Sequence, residues 1–412
     1  MRAPRGGNGH GDWEDPVAQN NRRRALRLLV GVAVIGALAG CAGTPEDGDD
    51  DAAVSDRVVP IGLLLPAGGA NKAIGDDMRR GFDLYLNQHG NTLGGHRVRV
   101  ETADEGDTPD SGRAGLAALL DKKVSAVAGV AAPEVLSALR DPIRTARVPL
   151  IGVNGSPASL QGEIFIWRTS YVGTDPGIAM GRYMAENVPG RVAMVLPDLP
   201  AGQDVLDGFR DGFGTDGRLD REPVFAGTAT NPRRGAYAEL VERLRDRRPA
   251  AVFCALTGPA AVEFVRAFRA AGLGAGLYGP GFLTEGTGIA ESGQAGLGIA
   301  TALNYSADLP HAANRIFASA YRKAHGASPT TYAMAAYDAA AVLDRAILLA
   351  RDDLSAQNIN LNLGRVGQVD SPRGVWQFNQ SRTPQQKWYL REVRADGQVT
   401  SNVVTRELAT LG

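Results

Sequence analysis

The sequence predicts an α/β chain of two Rossmann-like parallel-sheet lobes, and three observations carry that prediction. From Val58 onward, short apolar runs alternate with stretches of helical period, the order expected of right-handed βαβ units. The runs at 124–130 and 251–256 are apolar at successive rather than alternate positions, as in strands covered on both faces. The alternation pauses at Tyr171 and then restarts with its own strands and helices, which marks a second lobe.

The chain begins with a targeting segment. Residues 1–40 read as a signal peptide: Arg22, Arg23, Arg24 and Arg27 precede an apolar run over 28–39, too short to span a bilayer. Residues 2–16 do not suit the start of such a segment, and translation from Val17 would give a conventional one. Leu38-Ala39-Gly40-Cys41 resembles the lipobox of bacterial lipoproteins, which implies cleavage before Cys41 and lipid on its thiol. The alternative is a buried N-terminal helix with a chance cysteine. Residues 41–56 read as the lipidated Cys and a disordered acidic spacer. A lipid there would hold a soluble domain at the outer membrane face of a bacterial cell envelope.

The ordered chain opens with strand 58–65, a small-residue loop at 66–70 and an amphipathic helix at 72–89 with Ile74, Met78, Phe82 and Leu86 on one stripe. Strand 97–102, an acidic loop at 104–107 and helix 111–122 lead to strand 124–130. Pro133 suits the first turn of a helix ending near Arg147. Strand 149–152, the turn at 153–157 and strand 164–170 complete the first run. The second run places helices at 174–188, 203–213, 233–245 and 259–271 between strands at 191–196, 223–227, 250–256, 276–279 and 297–303. Two long helical patterns cover 310–325 and 330–351. The tail reads as antiparallel strands at 374–378, 387–394 and 399–403, with Asp396-Gly397 as a hairpin turn.

Composition and motifs exclude several classes. A net charge of -1 over 412 residues does not support binding to nucleic acid through bulk positive charge. With Cys41 assigned to lipid, Cys254 has no disulfide partner and reads as a core thiol. Gly274 to Gly279 satisfies G-x-G-x-x-G but follows a helix and enters a strand, the reverse of a dinucleotide turn. Ser156 is not in a nucleophile elbow, and the five histidines show no metal-ligand spacing. No catalytic residue, cofactor or metal is expected.

The ordered chain resembles the leucine/isoleucine/valine-binding family of type I periplasmic binding proteins, the solute receptors of ABC importers. The likeness covers about residues 58–405 and rests on the order of its motifs. These include Leu93-Gly94-Gly95-His96, Val148-Pro149-Leu150-Ile151 before Asn154-Gly155-Ser156, and Trp167-Arg168-Thr169-Ser170 before Asp175-Pro176-Gly177. Tyr278-Gly279-Pro280-Gly281 and Thr331-Tyr332-Ala333 with Tyr337-Asp338-Ala339 follow. The resemblance implies two lobes joined by three chain crossings, near 170–172, 303–305 and 366–370. The first lobe would take 57–171 plus 304–366 and the second 172–303 plus 367–412.

The same resemblance directs attention to the cleft between the lobes. Asn154, Gly155 and Ser156 would offer backbone N–H groups and a hydroxyl to a ligand, although these are also turn residues for local reasons. Ala131 and Ala132 open a helix whose N–H groups would face an anion, or form only a tight loop. Tyr171 and Tyr305 would close over a ligand or pack the hinge, and Asp175 would receive a ligand donor or cap a helix. Thr257 and Phe282 are the second lobe's candidates. Gly281 stands where the family carries the acid that binds an ammonium group, which argues against an α-amino acid. The expected function is a monomeric, lipid-anchored receptor that passes a small polar solute, of the amino-acid class or related to it, to an ABC permease. The alternative is an anchored regulatory or sensor module on the same fold, such as a cell-wall synthase activator.

Overall fold

The computed structural model of the chain describes residues 55–215, 217–228 and 232–412. The expected signal peptide, Cys41 and all but the last two residues of the acidic spacer lie outside them. Among the described residues no helix is long and apolar enough to cross a membrane.

The first lobe is built as the apolar runs require. Strands β1 (Ser55–Leu65), β2 (Thr92–Leu93), β3 (His96–Asp104), β4 (Ala126–Gly129), β5 (Leu150–Gly152) and β6 (Ile166–Arg168) form one sheet in the order β2-β3-β1-β4-β5-β6. All neighbours are parallel except the short β2, which turns back on β3. Helix α1 (Lys72–Gln88) and α2 (Pro109–Asp121) connect the first strands. The expected helix to Arg147 is broken at Leu139 into α3 (Pro133–Ala138) and α4 (Arg140–Ala146). One core layer joins Ile61, Phe82 and Ile151 to the later Ala-rich helix described below, and the other joins Leu116, Leu136 and Ile143.

The second lobe repeats the scheme. Helices α5 (Asp175–Asn187), α6 (Pro200–Phe213), α7 (Ala238–Arg247), α8 (Gly258–Ala270) and α9 (Thr287–Ser292) alternate with β7 (Val192–Leu196), β8 (Val224–Phe225), β9 (Ala251–Cys254), β10 (Gly276–Pro280) and β11 (Ala300–Leu303). Helices α5 and α6 approach backbone to backbone. A Cβ placed on Gly208 would lie 2.0 Å from the Thr174 carbonyl oxygen. Glycine is therefore the residue that fits there. Cys254 is fully buried, and burial pushes its thiol up to about 12, so it is an inert core group.

Helices α10 (Ala312–His325), α11 (Thr331–Ala350) and α12 (Ala356–Leu363) return to the first lobe. Helix α11 is buried nearly all round, and its alanines let it lie against the sheet. Helix α12, capped by the Ser355 hydroxyl, was not expected from the sequence. Strands β12 (Gln377–Phe378), β13 (Pro384–Asp396) and β14 (Val399–Leu411) finish the chain. Val366, Val369 and Trp376 pack in the first lobe's core, with Phe378 against it. β13 runs antiparallel beside β11 in the second sheet and pairs with β14 across the Asp396-Gly397 turn. The second sheet has the order β12-β13-β11-β10-β9-β7-β8.

Three passages of chain join the lobes, and one side chain binds all of them. Gln386 donates through Nε2 to the Ser170 carbonyl at 2.7 Å in the first passage. Its Oε1 accepts from Asn304 at 2.8 Å in the second and from Arg373 at 2.6 Å in the third. Arg373 in turn pairs with the buried Asp338 of α11 at 2.9 Å.

Candidate functional site

In open parallel sheets the loops after the carboxyl ends of the strands form the ligand crevice. In the first lobe those loops follow β1, β3, β4 and β5, and each expected site residue there has a distinct fate.

Ala131 and Ala132 do offer their N–H groups, but to a carboxyl of the protein itself. Glu105 accepts both, at 2.7 Å through each oxygen, and is itself fully buried. Burial pushes its carboxyl up to about 7 although the two N–H groups pull the other way. Ser156 also faces inward. Its side chain accepts Arg168 Nε at 2.7 Å, and its N–H donates to the Tyr171 carbonyl at 2.9 Å. Arg168 is wholly buried and fixes this loop through the Leu160 and Ser381 carbonyls as well. Burial lowers its guanidinium to about 10.

Asn154 and Gly155 are half-exposed and differ from Ser156 in what they leave free. The Asn154 side chain donates to the Ala131 carbonyl at 2.7 Å, which ties the two loops together. Among the described residues the backbone N–H groups of Asn154 and Gly155 have no hydrogen-bond partner. Gly155 rests on Tyr171, since a Cβ there would come within 3.0 Å of the ring. Tyr171 is 3% exposed and lies edge-on to Trp388, with ring centroids 5.4 Å apart. Its hydroxyl and that of Tyr332 have no partner among the described residues. Burial raises both phenols, and Tyr332 lies within electrostatic reach of Tyr171, Glu285 and Arg391.

Tyr305 and Asp175 are structural. Tyr305 is fully buried, donates to Asn314 at 3.0 Å and packs on Phe317, so it is hinge packing rather than a lid. Asp175 begins α5 instead of preceding it and accepts the Val172 N–H at 3.1 Å, outside the helix. Burial pushes its carboxyl up to about 6.

On the second lobe, Phe282 is half-buried and packs against the cluster that contains Tyr171. Thr257 is exposed just before α8 and its side chain does not cap the helix. Gly281 is closed to any side chain, because a Cβ there would lie 2.5 Å from Leu303 Cβ. The acid on this face is Glu285. It accepts the Thr331 N–H of the first lobe at 2.8 Å and Arg391 Nη1 at 2.8 Å. A second bond crosses between the lobes where Ala158 N–H donates to Asp204 at 2.9 Å.

Glu105, Arg168, Glu285, Tyr332 and Arg391 were not among the expected site residues. A signal was present in Arg168, a charge in a strand buried at every position, where a partner is required, and more weakly in Arg391, which follows the buried run 388–390 of the partly exposed β13. A hollow of about 400 Å³ lies elsewhere, beside the third passage, lined by residues that include His311, Arg373, Trp376 and Gln386. None of the expected solute-holding residues lines it. Among the described residues no group of three or more His, Cys, Asp or Glu is placed to hold a metal.

The family profile described as periplasmic binding protein matches residues 58–398. The Leu/Ile/Val-binding protein homolog 6 of Brucella melitensis is 27% identical over 346 residues, covering 82% of this chain and 87% of its own. A solute binding protein of an ABC transporter from R. palustris, solved in complex with benzoate, is 27% identical with a TM-score of 0.78, over 86% of this chain and 97% of its own. Another, from Rhodopseudomonas palustris BisB5 in complex with 3,4-dihydroxy benzoic acid, is 26% identical with a TM-score of 0.79, over 86% and 98%. The branched-chain amino acid transporter substrate binding protein of Streptococcus pneumoniae, in complex with isoleucine, shares the fold at 18% identity and a TM-score of 0.74, over 85% and 100%.

Proposed function

Because the chain belongs to the periplasmic binding protein family, we propose that it is an extracytoplasmic receptor, anchored through Cys41, that delivers a small carboxylic acid to an ABC permease. The cleft closes on the solute by hinge bending, with the solute stabilising the closed form through contacts to both lobes.

The observation that carries this reading is an inventory of unused donors. Among the described residues the N–H groups of Asn154 and Gly155 and the hydroxyls of Tyr171 and Tyr332 are unpaired, and all four suit an acceptor such as a carboxylate. Gly281 offers no acid to an ammonium group, and both oxygens of Glu285, the acid beside it, are engaged. Rings at Tyr171, Tyr332 and Phe282 suit an apolar or aromatic body. The relatives that bind benzoate and 3,4-dihydroxy benzoic acid support an aromatic acid as the solute.

A thermal-shift series with benzoate, 4-hydroxybenzoate, leucine and leucinamide tests the proposal. A true ligand at 100 times its dissociation constant adds about 2.7 kcal/mol of stability. Benzoate or its hydroxylated form is expected to raise the melting temperature and leucinamide to leave it unchanged. A response to leucine with none to the aromatic acids would refute the acid reading. Silence across a wide panel of carboxylates would favour the regulatory alternative, which draws on the inward-facing Ser156 and the occupied Ala131 and Ala132.

A further inference from the structure

Glu285 stands on the second lobe with both carboxylate oxygens committed. Oε1 accepts the Thr331 N–H at the first turn of the twenty-residue α11, in the first lobe, and Oε2 accepts Arg391 Nη1 in the second. The two side chains are only 5% and 2% exposed, so solvent screens the pair little. Arg391 also donates through Nη1 to the Tyr305 carbonyl and through Nη2 to the Gly281 carbonyl, each at 3.1 Å, and among the described residues its buried Nε has no partner. A guanidinium facing a helix N-terminal N–H is a donor set that would bind a ligand's carboxylate. Here a side chain of the protein takes it.

We propose that Glu285 is a built-in occupant of a carboxylate subsite between the lobes, so that the cleft accepts solutes with one acid group and rejects those with a second acid reaching this point. The inference deepens the reading of the cleft as a solute site and names a class that the site excludes. It rests on that reading only for selectivity, since the subsite itself can be probed without any natural solute.

Glu285→Ala leaves a gap of carboxylate size between Arg391 and Thr331. The variant is expected to melt below the wild type. Sodium acetate at 100 times its dissociation constant is expected to raise the variant's folding constant about 100-fold. Sodium chloride at equal ionic strength is expected not to, and the wild type, its subsite filled, is expected to respond less to acetate than the variant. An equal response in both proteins, or none in a folded variant, overturns the proposal. A variant that folds only with acetate supports it. If Glu285→Ala folds in neither salt, Glu285→Gln decides, because it keeps an acceptor for Thr331 and loses the charge facing Arg391. A wild-type melting temperature for Glu285→Gln overturns the proposal, and a lowered one supports it. For selectivity, benzene-1,4-dicarboxylate is expected to bind Glu285→Ala at least about tenfold more tightly than the wild type, a change of about 1.4 kcal/mol. Acetate rescue with no binding of benzoate by the wild type would keep the subsite and remove the aromatic-acid reading.

Discussion

Replacing Glu105 by glutamine changes how stability depends on pH, in a direction set by where the carboxyl sits. Burial pushes it up to about 7 from 4.5, and the N–H groups of Ala131 and Ala132 only partly offset this. Below about pH 4.5 the folded and unfolded chains both carry the proton. Between there and about 7 the folded chain keeps a proton that the unfolded chain has released. Stability therefore falls as pH rises through that window, by up to about 3 kcal/mol at 1.36 kcal/mol per pH unit, and is level above it. Glutamine has no such proton, but it presents one acceptor to two N–H groups and costs about 1–3 kcal/mol at every pH. Urea unfolding of both proteins from about pH 4.5 to 8 reads the difference directly. The wild type's lead over Glu105→Gln is expected to shrink by about 2–3 kcal/mol across that range. A constant lead would mean that the two N–H bonds outweigh burial and keep the carboxylate ionised throughout. A lead that grows with pH would refute the direction of the argument.

Three further outcomes follow from the packing. Tyr171→Phe removes a hydroxyl with no partner among the described residues, so the empty protein should keep its melting temperature while solute affinity falls by about 0.5–1.5 kcal/mol, measured by titration calorimetry. Gly208→Ala drives a methyl into the Thr174 carbonyl, 2.0 Å away, and should cost at least about 2 kcal/mol in urea unfolding, because backbone on both sides cannot yield. Cys254 should not react with a thiol reagent in the native state and should react at once in urea, since burial holds the thiol at about 12.

The fold was legible because buried parallel strands announce themselves as unbroken apolar runs. Residues 192–196 and 251–254 are strands buried at every position. Boundaries moved where local chemistry decided them. The helix expected at 174–188 runs over Asp175–Asn187, whereas Leu139 divides what reads as one helix into two. The grouping of the candidate residues was legible only in outline. Asn154, Gly155 and Tyr171 lie together as the β5 loop suggested, but a turn of Asn, Gly and Ser does not reveal which of its groups is spent internally. Ser156 is claimed by Arg168 from 12 residues away and Ala131 by Glu105 from 26 away. Thr331 and Glu285 are 46 residues apart, and only the folded chain brings them within a hydrogen bond.

Two bodies linked by three separate strands of chain would ordinarily have play in the joint, each strand flexing at its own point. Gln386 couples them, because a single amide is bonded to all of the strands at once and a twist in any one of them would pull on the others. Any rotation of one half against the other would therefore have to carry all three strands together.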